Sequence, residues 1–208
     1  MGCRLYLVRH GETDWNVREK FQGHSNVPLS ERGREQARSL AKRLAKRKLA
    51  AFFASDLQRA LETASILAAP HGLRVETVDS LREMNFGVWE GRTVQEIREN
   101  CRELAERWWS NPVDTCLPEG ETLKELACRV NDAIARIVGR FQNDEEVVVV
   151  SHGGPLRAAI ATVLGMDLKL YWRLRLDNAS LSRIDFRSPG EGILVLLNDR
   201  SHLEETGN

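Results

Sequence analysis

The sequence predicts an α/β domain organised around a mostly parallel central sheet. Short apolar runs alternate with longer stretches in which apolar residues recur at helical spacing, the pattern of strands joined by helices. Two of these runs, residues 3–8 and 146–150, each lead directly into a segment that contains a histidine. With 208 residues, 42% of them hydrophobic, and no internal repeat or linker, one well-buried domain over residues 1–208 is expected.

The first half of the chain supplies three predicted strands and two predicted helices. Ser30 is a favourable N-cap, and the apolar residues at positions 37, 40, 41 and 44 fall on one helix face. The second helix is rich in alanine and leucine and stops at Pro70 and Gly72, residue types that end helices. In chain order, the predicted elements are a strand over 3–8, a helix from Ser30 to about Lys48, a strand over 51–54, a helix over 56–69 and a strand over 75–78.

The second half continues the same alternation. Apolar residues from Leu123 to Phe141 form a helical stripe that leads into the strand before the second histidine. Residues 155–164 are expected as the following helix, and residues 180–186 and 192–197 as the last two strands. Because ligands of such sheets bind beyond the carboxyl ends of the strands, the loops after the strands are where we expect a functional site.

Charge and cysteine content disfavour several classes of function. Thirty basic and thirty acidic residues cancel, so no overall charge favours a nucleic acid or a membrane surface as partner. The four cysteines form no C-x-x-C pair and have no histidine at metal-ligand spacing, which predicts reduced thiols and neither a disulfide framework nor a metal site. The sequence shows no signal-peptide pattern and no run of membrane-spanning length, so a cytoplasmic protein is expected.

The segment Arg9-His10-Gly11 follows the first predicted strand and has the chemistry of a phosphate site. Arg9 offers a planar fork of donors to phosphoryl oxygens, and a neutral His10 can attack phosphorus or transfer a proton. Gly11 lets a ligand approach the backbone. Taken alone, the tripeptide is explained equally well by a histidine that a local carbonyl satisfies, beside a hydrated arginine.

A second cation follows another strand. Ser55 and Arg59 lie four residues apart at the predicted start of a helix, so both can face one side near its positive end. The alternative for Arg59 is a surface charge that pairs with Glu62 or Asp56. Its place directly after a strand favours the functional interpretation.

A second histidine follows the strand over 146–150. His152 precedes Gly153, Gly154 and Pro155, a sequence that brings bare backbone amides close to a ligand at a helix N-terminus. A lone histidine here would be structural. The two glycines and the matching position of His10 at its own strand end favour a role in the site.

A carboxylate for proton transfer is expected in the loop over residues 81–91, which mixes acidic and aromatic side chains. A partly desolvated Glu83 could hold a proton near neutral pH and serve as a general acid. On the residues alone, Glu90 and Glu12 compete with it for this role.

Taken together, four segments resemble the histidine phosphatase superfamily, the phosphoglycerate-mutase-like fold. They occur in the same order over nearly the whole chain, which makes the combination specific although each piece is short. The segments are Leu7-Val8-Arg9-His10-Gly11-Glu12-Thr13 with Trp15-Asn16, Ser55-Asp56-Leu57-Gln58-Arg59-Ala60, Glu83 ahead of Phe86-Gly87, and Ser151-His152-Gly153-Gly154.

The resemblance implies a three-layer α/β/α sandwich and a two-step phosphoryl transfer through a phosphohistidine on His10. It also implies that Glu83 protonates the leaving oxygen and then activates water. The sequence contains no Walker loop and no acidic metal cluster, so neither a metal nor another cofactor is expected. The phosphoryl-binding residues that the resemblance implies are Arg9, Asn16, Gln22, Gly23, Arg59, His152 and Gly153.

Within the superfamily, two loops are similar to the phosphatase branch. They are residues 85–91 and 154–157, where mutases usually carry a tyrosine–glycine and an asparagine–serine pair, and the segment from Glu83 to His152 is short for a mutase. The overall pattern looks like the α-ribazole phosphatases of cobalamin synthesis, and also like broad-specificity phosphatases. A small-molecule phosphate ester is the expected substrate, with α-ribazole 5'-phosphate first; weak mutase activity stays open.

Several alternatives stay open on the sequence. The pair Trp108-Trp109 could stack on a benzimidazole or, more simply, bury a helix face. Residues 92–120 could cap the pocket, which suits a small substrate better than a phosphoprotein. The apolar residues 168–176, with Trp172, could be core or the interface of a homodimer. A silent phosphate-binding module would typically lose its nucleophile or acid, and because this chain keeps both, an enzyme is predicted.

Overall fold

The central element is a six-stranded sheet, and the computed structural model describes residues 2–204. Its strands are β1 (Cys3–Arg9), β2 (Leu49–Ala54), β3 (Val75–Thr77), β4 (Glu145–Ser151), β5 (Leu181–Ser188) and β6 (Glu191–Asp199). They lie in the order β3-β2-β4-β1-β5-β6. The first four run parallel to one another, and β5 runs antiparallel to both β1 and β6. The predicted mostly parallel sheet is therefore confirmed.

Helices cover both faces of the sheet and complete the three layers. They are α1 (Asp14–Val17), α2 (Glu31–Leu44), α3 (Gln58–Ala68), α4 (Val94–Asn100), α5 (Arg102–Ser110), α6 (Leu123–Val138), α7 (Gly153–Val163) and α8 (Ser201–Glu204). Short 3-10 helices lie at Ala69–His71, Asp79–Leu81, Gly87–Trp89 and Leu168–Arg173. Among residues 2–204, none of the helices combines the length and the apolar character that crossing a membrane requires.

Successive side chains of a strand point to opposite faces of the sheet, so the apolar residues are divided between two cores. On β1, Leu5 and Leu7 join the core that contains the apolar faces of α6 and α7, whereas Tyr6 and Val8 join the core under α2 and α3. The valines of β4 divide in the same way. Because burying each such side chain contributes roughly 1.5–3 kcal/mol, a register shift of one residue would exchange the two cores at high cost.

Several predicted helix boundaries differ from the structure; one is the start of α7, which is Gly153 and not residue 155. The Ser30 hydroxyl accepts a hydrogen bond from the Gly33 amide, which confirms the N-cap, but α2 ends at Leu44 because the chain turns back there to enter β2. The next helix begins at Gln58, two residues later than predicted. Ser55 Oγ accepts from the amide of Leu57, so residues 55–57 form a turn ahead of α3.

The sheet order places the two histidines side by side. Strands β1 and β4 are parallel neighbours with Arg9 opposite Ser151, so the residues that follow them leave the sheet at the same edge. Strand β2 lies on the other side of β4 and brings Ser55 to that edge. The predicted location of a site beyond the carboxyl ends of the strands is therefore where these side chains meet.

Residues 92–120 contain α4 and α5. Trp108 is fully buried, with its ring edge-on to Trp89 at a centroid distance of 5.4 Å, so the simpler prediction that it buries a helix face is confirmed. Trp109 is half-buried and carries Arg98 over its ring. Its contact with a substrate, and the capping role of the segment, stay predictions.

Candidate active site

His10 is a buried histidine whose tautomer is fixed by its neighbour. Its Nδ1 lies 2.7 Å from the carbonyl oxygen of Gly11, and because a carbonyl can only accept, Nδ1 carries the proton. The Nε2 atom therefore holds the lone pair, and it has no hydrogen-bond partner among residues 2–204. The alternative considered from the sequence was a histidine that a local carbonyl satisfies. That alternative accounts for Nδ1 but not for Nε2.

The surroundings of His10 keep its ring neutral. Burial lowers its pKa well below the usual range, and the positive charges of Arg59 and Arg9 lower it further. Histidine with a depressed pKa is uncharged at neutral pH, so the Nε2 lone pair is available to an electrophile.

Arg59 is completely buried, which overturns the alternative of a surface ion pair. Its Nη1 donates to the carbonyl oxygen of Ser25 at 2.8 Å, and its Nη2 donates to that of Gly23 at 2.7 Å. Its Nε donates to Nδ1 of His152 at 3.2 Å. Burial lowers the pKa of Arg59 to about 10, so the guanidinium stays charged at neutral pH. Two of its five N–H groups remain for a ligand.

His152 is held from two sides. Its Nδ1 accepts from Arg59, so its Nε2 carries the proton and donates to Ser55 Oγ at 2.9 Å. The two histidine rings lie edge to face with centroids 5.1 Å apart. Ser55 and Arg59 therefore face the same side, as predicted, and both contact His152. Because both of its nitrogens are bonded, its contact with a phosphoryl group requires one of these bonds to be exchanged and stays a prediction.

Arg9 places a second, half-buried cation beside His10. Its Nη1 donates to the carbonyl oxygen of Leu176 at 2.7 Å, while its buried Nε has no partner among the described residues. Burial first, and then the charge of Arg157, lowers the pKa of Arg9 to about 10. A buried charge without a counter-ion is costly, so the pair Arg9 and Arg59 forms a site that an anion would stabilise.

Asn16 presents an amide donor next to this site. Thr13 N and Asn178 Nδ2 both donate to Asn16 Oδ1, at 3.1 Å each, which fixes the orientation of the amide. The Nδ2 group is left without a partner in the described part of the chain. This group is the one that a phosphoryl oxygen would need.

Gln22 and Gly23 lie in the loop beneath Arg59. Gln22 is buried with its Oε1 3.1 Å from Thr13 Oγ1. Gly23 has a φ of +51°, and a Cβ there would lie 1.9 Å from Glu90 Oε1. The structure therefore shows Gly23 supporting Arg59 through its carbonyl, and direct contact of either residue with a ligand stays a prediction.

Glu83 approaches the site from the opposite side. Its Oε1 accepts from the amides of Met84 at 2.8 Å and Gly154 at 3.1 Å, which ties it to the first turn of α7. A Cβ at Gly154 would lie 2.3 Å from Glu83 Oε1, so glycine is required for this contact. Since Gly154 follows His152 by two residues, the carboxylate and the histidines belong to one site.

The two competing carboxylates are engaged elsewhere. Glu90 Oε2 accepts from the amide and the hydroxyl of Ser25, so it holds the loop that supports Arg59. Glu12 lies against Ser30 Oγ and 4.0 Å from Arg32. The contacts therefore favour Glu83 as the carboxylate for proton transfer.

Arg129 is a residue of this site that the sequence did not reveal. From α6, its guanidinium donates to the carbonyl oxygens of Ser80, Arg82 and Glu83 at 2.8–2.9 Å. A two-point ion pair with Glu121 holds it in place. Arg129 therefore fixes the turn that carries Glu83. These carbonyls lie more than 45 positions away in the chain, so only the fold brings them to the arginine.

Replacing Arg129 by methionine is expected to reduce kcat/KM roughly 10- to 100-fold, because the backbone of Glu83 loses its support. The loss should be larger for alkyl phosphates, which need a positioned acid, than for p-nitrophenyl phosphate. Steady-state kinetics on both substrates measures this difference. Arg136→Met, at an exposed position of the same helix, is the control. Equal losses on both substrates would assign Arg129 a purely structural role.

A metal site is not evident in the side chains. Within residues 2–204, no group of three or more histidine, cysteine, aspartate or glutamate side chains is arranged to hold a metal ion. The positive charge of the site comes from Arg9 and Arg59.

Comparison with known proteins links this geometry to a family. The model of the histidine phosphatase superfamily (branch 1) matches residues 5–200. Phosphoserine phosphatase 1 of Hydrogenobacter thermophilus is 36% identical over 202 residues, covering 97% of this chain and 95% of the relative. GpmB of Escherichia coli O1:K1, named a probable phosphoglycerate mutase, is 35% identical over 205 residues with the same coverage. The α-ribazole phosphatase of Shigella flexneri superposes with a TM-score of 0.87 at 34% identity, covering 95% of this chain and 96% of that one.

Proposed function

The chain belongs to the histidine phosphatase superfamily (branch 1), and from this membership we propose that it is a phosphatase that hydrolyses a small phosphate monoester through a phosphohistidine. The observation that carries the proposal is the state of His10. Its ring is buried and neutral, its Nε2 has no hydrogen-bond partner among the described residues, and burial, followed by the charges of Arg59 and Arg9, lowers its pKa. A neutral nucleophile beside a site for an anion is what phosphoryl transfer to nitrogen requires.

In the first step, His10 Nε2 attacks phosphorus, the P–N bond forms and the P–O ester bond breaks. The leaving oxygen takes a proton from Glu83. Arg9 and Arg59 stabilise the charge on the phosphoryl oxygens, and Asn16 Nδ2 donates a further hydrogen bond. His152 joins them when its Nε2–H donates to a phosphoryl oxygen in place of Ser55 Oγ.

In the second step, Glu83 takes a proton from a water molecule, which attacks phosphorus. The P–N bond breaks, inorganic phosphate leaves and the neutral ring of His10 is restored. Both steps use one carboxylate, first as acid and then as base, and the hydrogen bond from the Gly154 amide of α7 that positions Glu83 supports this assignment.

For the substrate, α-ribazole 5'-phosphate is the first candidate, supported by the sequence resemblance and by the Shigella flexneri structure. On this basis the enzyme would act in cobalamin synthesis in the cytoplasm. Phosphoserine is the second candidate, supported by the Hydrogenobacter thermophilus relative and by the cation of Arg157, which has no ion-pair partner among residues 2–204. A homodimer through residues 168–176 is also proposed; within this segment Trp172 is 43% exposed.

Phosphate release across a panel of esters tests the proposal. The panel contains α-ribazole 5'-phosphate, phosphoserine, 3-phosphoglycerate, sugar phosphates, a phosphopeptide and p-nitrophenyl phosphate, ranked by kcat/KM. We expect hydrolysis of at least one small ester at a rate that EDTA does not change, because the positive charge of the site comes from arginine side chains. Absence of release from every ester would contradict the phosphatase, and strong inhibition by EDTA would contradict the metal-free mechanism.

A further inference from the structure

Arg157 takes no part in the mechanism above, yet it lies beside Arg9. Its Nη1 would be 3.3 Å from a Cβ placed on Gly153, and Arg9 Nε would be 3.7 Å from the same point. Because both distances start from the same point, Arg157 Nη1 and Arg9 Nε can be no further apart than the two distances added together. After burial, the charge of Arg157 is the largest cause of the lowered pKa of Arg9. Two cations thus converge over one glycine at the start of α7.

The side chain of Arg157 is held in a fixed direction. Its Nε donates to the carbonyl oxygen of Leu174 at 2.8 Å, and its guanidinium stacks on the ring of Trp172 with Cζ 5.6 Å from the centroid. Trp172 packs in turn on Tyr171 at a centroid distance of 4.4 Å. Because its rotamers are already restricted, Arg157 loses little conformational entropy when it binds a ligand.

Arg157 has no acidic partner. In the described part of the chain, no carboxylate lies within ion-pair distance of Arg157, although the side chain is half-buried. The acidic groups that act on this region are Glu83 and Asp177, which raise the pKa of neighbouring Arg9. Arg129, by contrast, is neutralised by Glu121. A half-buried guanidinium without a counter-charge is a candidate to receive an anion from outside.

We propose that Arg157 is a specificity-determining residue, which binds a carboxylate of the substrate next to the phosphoryl group held by Arg9. With Nε bonded to Leu174, the two Nη groups remain as a planar fork, which fits a carboxylate with two parallel hydrogen bonds. This inference rests on the proposed function and names its substrate class, the phosphate monoesters of small hydroxy or amino acids. It adds support for phosphoserine, the second candidate above, because α-ribazole 5'-phosphate has no carboxylate for Arg157 to bind.

A pair of matched substrates tests the inference. Phosphoserine and phosphoethanolamine differ only in the carboxylate, so the ratio of their kcat/KM values isolates its contribution. We expect the wild-type enzyme to prefer phosphoserine, and Arg157→Met to reduce this ratio roughly 10- to 100-fold, the effect of losing a charge-assisted pair of hydrogen bonds. Arg157→Lys keeps the charge but loses the fork and should give an intermediate ratio.

Arg136→Met, which removes an exposed arginine from α6, is the matched control and should leave the ratio unchanged. The inference is overturned if the wild-type enzyme shows no preference for the carboxylate, if it hydrolyses neither ester, or if Arg157→Met lowers kcat/KM equally for both. Hydrolysis of p-nitrophenyl phosphate separates the two proposals. If it occurs while the ratio fails to respond, only the role of Arg157 is wrong; if no ester is hydrolysed, the phosphatase itself is wrong.

Discussion

Replacing His10 by alanine is expected to lower kcat by at least about 10⁴-fold for every substrate, because the variant loses the nucleophile of the first step. His152 cannot take over as nucleophile, since the lone pair of its Nδ1 accepts from Arg59 and its Nε2 carries a proton. The fold should persist, because within residues 2–204 the His10 side chain makes a single hydrogen bond, to its neighbour Gly11. Phosphate release and near-ultraviolet circular dichroism measure the two effects separately.

Detection of the intermediate makes the same prediction specific. Rapid quenching at alkaline pH, followed by mass spectrometry of peptides, should find phosphate on His10 of the wild-type enzyme and none in His10→Ala. His71→Ala, which removes a histidine that packs on Phe52, is the control and should retain the label. Phosphate on another residue, or unchanged turnover in His10→Ala, would refute the proposed mechanism.

The state of His10 also sets the direction of the pH dependence. Its pKa is lowered, so the ring stays neutral as the pH falls through the usual histidine range near 6.5. Loss of kcat/KM from protonation of His10 should therefore begin only below that range. If the acidic limb of the kcat/KM profile is caused by His10 and is centred above pH 6.5, the buried neutral ring is contradicted.

The strands and the order of elements could be predicted because their signals are local. The buried runs of β1 and β4 are short and apolar, with four valines in β4, and the apolar stripe of α6 repeats at helical spacing. The end of α2 could not be predicted as well. Residues after Leu44 keep good helix propensity, and the turn there is imposed by the pairing of Leu49 with Glu146 on β4.

Some residues of the site could likewise be predicted from the sequence, and others could not. His10 and His152 each follow a buried strand, and the parallel sheet brings such positions together. The choice among Glu83, Glu90 and Glu12 could not be made from the residues, because it depends on which carboxylate reaches the amide of Gly154.

The roles of two arginines could not be predicted from the sequence at all. Arg129 contacts the turn at Glu83 from 46 positions away, and Arg157 rests on Trp172 across a loop. Neither stands in a motif that marks its role. Contacts between distant parts of the chain determine which surface arginine becomes part of a site, and no local spacing encodes them.

Replacing Glu83 by glutamine is expected to reduce kcat/KM roughly 10²- to 10⁴-fold for an alkyl phosphate and far less for p-nitrophenyl phosphate. The parameter kcat/KM reports the steps up to departure of the leaving group. An alkoxide is a poor leaving group and needs a proton, whereas nitrophenolate leaves without one. Glutamine can still accept from the amides of Met84 and Gly154, so the geometry is kept and only the acid is lost.

The second step provides an independent signature of the same residue. Without a base to activate water, Glu83→Gln should release one nitrophenol per enzyme in a rapid burst and then accumulate the phosphohistidine. Glu90→Gln is the matched control, because its carboxylate holds the amide and the hydroxyl of Ser25 and should influence both substrates equally. If Glu83→Gln lowers kcat/KM equally for both substrates and shows no burst, the proton must come from another group. If Glu90→Gln instead shows the dependence on the leaving group, that group is Glu90.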